Sequence, residues 1–355
     1  MARKYRKAKQ RKSSNFSWKL LRKRFQLKKR FRQFGLAFLV FSSVLLTLGA
    51  IHLWSYFGQP FAGAAETFGV EGSWDGQQPL NLLWVEVSET KIANLSVISL
   101  NPTSGRFSVF NLPLEYEVEL PSQDRQSLQA VYQAGDSAEP RRGVALAAKS
   151  ASYLLGVSVD GYLVVSASGL QQLAHYLGDG PLKSYFSVKS IVRLPQILVL
   201  ARDHLQTSLS LGELARVVYF LWQVRSDRVR TIDFDPQRLV DQDIVDGLVG
   251  PLVRDETLVG GQLKIQVLNG TYKTGLASHV SRVIRNMGGE VVRVGNYERQ
   301  DLTKGFLILD ETGSYTAKRL SRAFGVSGSH PPKTSAEKRA DITIVLGLED
   351  YERIF

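Results

Sequence analysis

The apolar positions change their rhythm three times along this chain. Residues 35–57 form one uncharged apolar run, residues from about 79 to 248 mix strand-like and helix-like spacing, and residues from 262 onward repeat that mixture in a smaller unit. In the second block, Leu82–Val87 alternates as a strand. Leu95–Leu100 and Arg106–Leu112 predict a hairpin across the turn Asn101-Pro102-Thr103-Ser104-Gly105. Val144–Leu155 has helical spacing and stops at Gly156, Tyr162–Val165 is a short buried strand, and Gly169–Leu177 is a helix. Ile191–Leu205 and Leu211–Val224 read as further helices, and Ile232–Phe234 closes the block as a strand.

The third block opens with a strand at Leu263–Leu268 and a polar loop, Asn269 to Gly275. Leu276, Val280, Val283, Ile284 and Met287 then share one face of a helix. Strands at Glu290–Val294 and Phe306–Leu309, a helix at Tyr315–Phe324 and a strand at Asp341–Leu346 complete the order β-α-β-β-α-β. That order predicts a small α/β or ferredoxin-like unit. Glycine-rich runs separate the blocks: 58–78 reads as a linker, and so does 249–261, with Gly250-Pro251 and Gly260-Gly261.

Charge decides the topology. The tail, residues 1–33, carries fifteen Lys and Arg and no acidic residue. As a helix the apolar run is about 34 Å long, enough for a hydrocarbon core of roughly 30 Å. A basic flank stays on the cytoplasmic side, so residues 34–57 are expected to form a single-pass membrane anchor with everything after them extracytoplasmic. Ala62-Gly63-Ala64 also resembles a cleavage site, which leaves cleavage after Ala64 as the alternative. The net charge of +12 belongs to the tail: without its fifteen charges the remainder stands at −3. That excludes the basic footprint that nucleic-acid binding needs.

The chain has no cysteine and five scattered histidines. Its exported part therefore lacks disulfides, thiolate ligands and a histidine-rich metal site, and relies on apolar burial.

Several motifs together resemble the LytR–CpsA–Psr family of bacterial cell-envelope proteins. The third block resembles the family's LytR-type C-terminal domain through Val267-Leu268-Asn269-Gly270-Thr271, Gly275-Leu276-Ala277, Val292-Arg293-Val294-Gly295-Asn296 and Ala340 to Gly347. The second block resembles the family's central α/β domain at Val97-Ile98-Ser99-Leu100-Asn101-Pro102, Leu155 to Tyr162, and Ser208 to Leu214. The resemblance implies an α/β domain at 79–248 and a C-terminal domain at 262–355. It also implies an activity: transfer of a glycopolymer from a polyprenyl-pyrophosphate carrier to peptidoglycan, with arginines and acidic residues gripping the pyrophosphate, usually with a divalent cation. A diphosphate leaving group carries several negative charges, which forked guanidiniums and metal-holding carboxylates stabilise.

At those positions this sequence departs from the family. Aligned on the turn, the family's aspartate falls at Ala93, its phosphate-gripping arginine at Leu114 and a later basic residue at Ser127. Lys91, Glu115 and Arg141 are the charged residues left as candidates for the site. Mg2+ is expected only if the ligase activity persists, and no other cofactor is. Asn269, Gly270, Thr271 and Gly275 form a possible ligand loop, although a turn-and-cap role explains the same residues. Glu115, Glu117 and Glu119 would share one face of a strand, and Asp233 and Asp235 lie near a strand end; a solvent-facing edge explains both groups. The helix faces bearing Arg282, Arg285, Lys318, Arg319 and Arg322 read as solvated or polymer-facing. The expected function is a tethered, non-catalytic binding or scaffolding protein of cell-wall glycopolymer assembly, with an active glycopolymer–peptidoglycan ligase as the alternative. Expected partners are the membrane, a polyprenyl carrier, wall polymer or an envelope protein.

Overall fold

Two mixed β-sheets, each covered by helices, organise the protein. The computed structural model describes residues 60–62, 74–88, 91–119, 125–138, 142–177, 202–309, 314–328 and 340–355. All belong to one compact unit, Phe57–Phe355. The tail, the expected anchor at 34–57 and Arg141 lie outside the described residues. Among the described residues no helix is long and apolar enough to cross a membrane.

The first sheet contains β1 (Pro60–Ala62), β2 (Leu80–Ser88), β3 (Lys91–Asn101), β4 (Arg106–Leu112), β7 (Gly161–Ser166), β8 (Leu205–Ser210) and β9 (Val229–Asp233). Its order is β1-β8-β7-β2-β3-β4-β9. The expected hairpin is present, with β3 and β4 paired from Leu95↔Leu112 to Asn101↔Arg106. A small ribbon, β5 (Glu117–Val118) and β6 (Gln126–Ser127), leads into α1 (Leu128–Ala138). On one face of the sheet, Leu83, Val85, Leu95, Val97 and Phe110 pack with α1, α2 (Arg142–Leu155) and α6 (Gln242–Val253). On the other, Leu82, Leu100 and Leu163 pack with Val217 of α4 (Leu211–Gln223). The strand alternation thus feeds two cores. α3 (Ala167–Leu177) contacts β2 and β7, and a one-turn helix, α5 (Pro236–Leu239), adds Leu239 to the first core.

The described parts of two runs expected as linkers are built into the fold. Trp74, inside 58–78, is 1% exposed. Its backbone N–H donates to Glu213 Oε1 at 2.6 Å, and its carbonyl accepts from Arg216 Nη1 at 2.8 Å. Glu213 also closes a capping box with Ser210 at the start of α4. The run 249–261 is helical. α6 extends through Gly250 and Pro251 to Val253, and α7 covers Glu256–Gly261 with Asp255 as its N-cap. Proline near the end of a helix removes only one donor, and Val245, Val249 and Val253 bury the helix whatever its composition. Likewise, Leu205 opens β8 instead of ending a helix; the rest of that expected helix lies mostly outside the described residues.

The second sheet holds β10 (Lys264–Asn269), β11 (Glu290–Asn296), β12 (Phe306–Leu309), β13 (Ser327–Gly328) and β14 (Ile342–Leu346) in the order β11-β10-β14-β12-β13. β10 pairs in parallel with both β11 and β14, so the arrangement is not ferredoxin-like. α8 (Leu276–Asn286) presents the predicted face: Leu276, Val280, Val283 and Ile284 are at most 1% exposed. At ~1.5–3 kcal/mol each, these four contribute roughly 6–12 kcal/mol before chain entropy is set against them. α9 (Tyr315–Phe324) packs into the same core, and α10 (Leu348–Ile354) ends the chain.

Candidate functional site

The positions at which the family resemblance places phosphate chemistry gather at one end of the first sheet. Lys91 opens β3 opposite Ser88, and the pairing jumps from Glu86↔Asn94 to Val87↔Ile92. Ala93 is therefore the extra residue of a β-bulge, a device that re-aims side chains at strand ends. β4 stops at Leu112, and the chain turns as Tyr116 N–H donates to the Pro113 carbonyl at 3.1 Å. Ser127 comes back to that turn, because Gln129 N–H donates to the Leu114 carbonyl at 3.1 Å and Leu128 N–H to that of Tyr116 at 3.0 Å.

What occupies these positions is structural. Leu114 is half-buried against the core. Ser127 Oγ accepts from Ala130 N–H at 3.2 Å and caps α1. The methyl of Ala93 offers no oxygen to a cation. Next to it, Asn94 Oδ1 faces Ser96 Oγ at 3.2 Å, Ser96 Oγ donates to Asn111 Oδ1 at 2.6 Å, and Asn111 Nδ2 donates to Asp233 at 2.5 Å. These four polar groups are thus closed into a ladder, and among the described residues the positions Ala93, Leu114 and Ser127 do not fit the divalent cation that the resemblance implies. Lys91 and Glu115 are exposed, and their side chains make no hydrogen bond or ion pair with a described residue. The expected three-glutamate face is interrupted: Glu115 sits in the turn, and Glu117 pairs with exposed Arg125 at 2.9 Å.

The loop 269–275 is gathered as expected, and its groups satisfy one another. Asn269 Oδ1 accepts from Thr271 N–H at 3.0 Å and from Thr271 Oγ1 at 2.8 Å, while Asn269 Nδ2 donates to the Lys273 carbonyl at 2.7 Å. Gly270 N–H donates to the Leu346 carbonyl at 2.9 Å. Gly275, at φ +83°, precedes α8 without a side-chain cap. The loop is a turn with its own hydrogen bonds.

The strongest electrostatic feature lies on helix faces whose sequence predicts a solvated or polymer-facing surface. Arg319 of α9 is 1% exposed and lies between two carboxylates, 3.4 Å from Asp160 Oδ1 and 3.6 Å from Asp255 Oδ2. Asp160 follows α2 and accepts from Asn81 N–H at 2.9 Å; Asp255 accepts from Tyr315 Oη at 2.7 Å and caps α7. Arg282 of α8 pairs with Asp246 at 2.8 Å and donates to the carbonyls of Tyr153 and Leu154 at 2.7 and 3.0 Å. Asn286 donates to the Gly156 carbonyl at 3.0 Å. Gly156 has φ +62°, and a Cβ there would lie 2.6 Å from Asn286 Nδ2. Beside these bonds His279 is buried with Tyr153 and Phe355, each ring 5.4 Å away. Burial, and then the charge of Arg282, lowers its pKa from 6.5 to about 3. Two arginines of the helix faces expected to be solvated or polymer-facing therefore bolt the two sheets' domains together. Burying the ends of such long cations requires carboxylate partners, and a single sequence does not reveal partners this distant.

The family relation is clearest in the second sheet's domain. Residues 262–349 match the model of the LytR C-terminal family, described as LytR cell envelope-related transcriptional attenuator. These residues form a LytR-type C-terminal domain, as their motifs indicated. No curated protein sequence matches the chain. Among solved structures, TagT bound to LIIa-WTA aligns over 53% of this chain and 97% of its own, at 12% identity and a TM-score of 0.38. The LytR-CPS2A-psr family protein YwtF (TagT) with bound octaprenyl pyrophosphate lipid aligns over 53% and 97%, at 13% identity and a TM-score of 0.34. The transcriptional regulator yvhJ from Bacillus subtilis aligns over 45% and 83%, at 17% identity and a TM-score of 0.33. At such TM-scores the likeness carries no functional argument.

Proposed function

We propose that this chain is a membrane-tethered, extracytoplasmic protein of the LytR–CpsA–Psr type that serves cell-wall glycopolymer assembly by binding or scaffolding, not by catalysis. The observation that carries this reading is the structural use of the family's phosphate positions. Leu114 fills core, Ser127 caps a helix and Ala93 has no ligand atom, while the strands that would present them are intact. At these three positions a leaving diphosphate meets neither a guanidinium fork nor a metal-holding carboxylate, the two groups its charge requires. Residues 34–57 provide the anchor and 1–33 its cytoplasmic tail. The docked C-terminal domain, joined through Arg282 and Arg319, presents a rigid surface to polymer, carrier lipid or an envelope protein.

An active ligase is the second reading. It is favoured only by Lys91 and Glu115, which remain exposed and unpaired among the described residues at that end of the sheet. The test is binding of a polyprenyl pyrophosphate to the full chain in detergent micelles, with and without Mg2+. The scaffold reading expects no Mg2+-dependent binding and no effect of Lys91→Ala or Glu115→Ala. Mg2+-dependent binding weakened by either substitution establishes the ligase reading instead.

A further inference from the structure

A second cationic site lies on the seam, at the other end of β4 from the family's phosphate positions. Arg106 begins β4, Arg254 follows α6, and Arg285 occupies the last turn of α8. All three line one cleft of about 480 Å³, together with Pro251, Glu256 and Asn286. Asp246 also borders it, but its carboxylate is already matched by Arg282 at 2.8 Å. Three arginines therefore line the cleft, with Glu256 as its one acidic residue besides Asp246.

The arginines are held but not neutralised. Arg106 Nη1 donates to the Pro251 carbonyl at 3.0 Å, which leaves its other N–H groups free to turn to the cleft. The Arg254 side chain runs along Gly288, whose absent Cβ would lie 3.1 Å from Arg254 Cγ, and the Arg254 carbonyl accepts from Asn101 Nδ2 at 2.7 Å. Arg285 is adjacent to Asn286, which is fixed by its bond to the Gly156 carbonyl. Neither the Arg254 nor the Arg285 side chain makes a hydrogen bond or ion pair with a described residue. Helix dipoles favour a cation at the ends of α6 and α8. They account neither for Arg106, which is on a strand, nor for the convergence of all three from both domains.

We propose that this cleft is an oxyanion site for a ligand that carries two or more phosphate groups. Guanidinium forks match phosphate oxygens in pairs. A volume of about 480 Å³ falls in the range of small-molecule sites and exceeds what one phosphate fills. The backbones that carry the arginines are pinned, so the cost of binding is confined to ordering the Arg254 and Arg285 side chains, about 0.5–1.5 kcal/mol each. The same chemistry is offered by a soluble diphosphate and by a phosphodiester polymer. The site stands apart from the sheet end with Lys91 and Glu115, and its fate is independent of the scaffold reading.

The test is titration calorimetry on the full chain in detergent at low salt, with inorganic pyrophosphate in one arm and a glycerol-phosphate oligomer in the other. Saturable, salt-weakened binding is expected in at least one arm, and the arm that binds names the source. Binding should be independent of Mg2+ and unchanged in Lys91→Ala. Arg106→Gln and Arg285→Gln should each weaken it about ten-fold, while Arg225→Gln, outside the cleft, should not. The proposal is overturned by an absence of saturable binding in both arms. It is equally overturned by binding that survives the Arg106→Gln/Arg285→Gln double substitution, or that Arg225→Gln weakens as much. Thermal unfolding of each variant, expected to match the parent for exposed Arg285 and to fall by no more than the one bond to the Pro251 carbonyl for partly buried Arg106, shows that a loss of binding is not a loss of fold.

Discussion

Replacing Arg319 with alanine leaves Asp160 and Asp255 in the interior with the cation between them gone. Both carboxylates are buried, at 7% and 1% exposure. Removing one partner of a buried ion pair costs ~3–5 kcal/mol, because the charge left behind is uncompensated. Two features place Arg319→Ala near the lower bound. The contacts are long, at 3.4 and 3.6 Å. The carboxylates also keep other donors, from Asn81 N–H to Asp160 and from Tyr315 Oη and two α7 amides to Asp255. The expected loss is about 3 kcal/mol, which for the unit Phe57–Phe355 lowers the melting temperature by roughly 5 °C. The assay is thermal unfolding of the full chain in detergent, followed by circular dichroism. The companion variant combines Arg319→Met with Asp160→Asn and Asp255→Asn, which removes all three charges at nearly constant volume, and should recover more than half of the loss. A fall of less than about 2 °C in Arg319→Ala, or a triple variant no better than the single one, refutes the assignment of the cost to uncompensated charge.

Gly156→Ala should destabilise by about 2–4 kcal/mol, since φ +62° disfavours any side chain and the new methyl meets Asn286 and Arg282; denaturant titration measures this, and a loss below ~0.5 kcal/mol counts against the close approach. His279 is neutral in the folded protein down to about pH 3 but protonates near pH 6.5 when unfolded. Its folded pKa is lowered, so its share of stability is complete above pH 6.5 and falls by about 1.4 kcal/mol per pH unit as acid is added, until about pH 3. His279→Gln should flatten that acid-side slope in unfolding measured from pH 7 to 5, and an unchanged slope contradicts its burial as a neutral ring. Tyr315→Phe removes the bond to Asp255 and should cost about 1.5–3 kcal/mol, with no effect on polyprenyl pyrophosphate binding.

The sequence made the local elements readable and left their assembly dark. The face of α8 and the β3–β4 hairpin followed from spacing, because a helix or hairpin that buries one side repeats every few residues. The mostly parallel order of the second sheet did not, since alternation shows that a strand is buried without showing which neighbour it pairs with. Gly250-Pro251 read as a break because composition alone carries no burial; Val245, Val249 and Val253 keep that stretch helical. The resemblance singles out Ala93, Leu114 and Ser127, but spacing does not show that the chain at Ser127 returns to the turn at Leu114. Arg282 and Arg319 were misread most, for their partners Asp246 and Asp160 lie 36 and 159 residues away.

Asp255 performs three tasks at once: it caps α7, accepts from Tyr315 and faces Arg319. The C-terminal domain is therefore not an interchangeable module. A chimera that joined it to another α/β domain at the glycine-rich run would carry Arg319 and Asp255 into a host lacking Asp160, and Asn286 and Arg282 into one lacking Gly156. A substitution on one side of the joint accordingly leaves its partner on the other side without a counterpart, and the joint tolerates change only as a set.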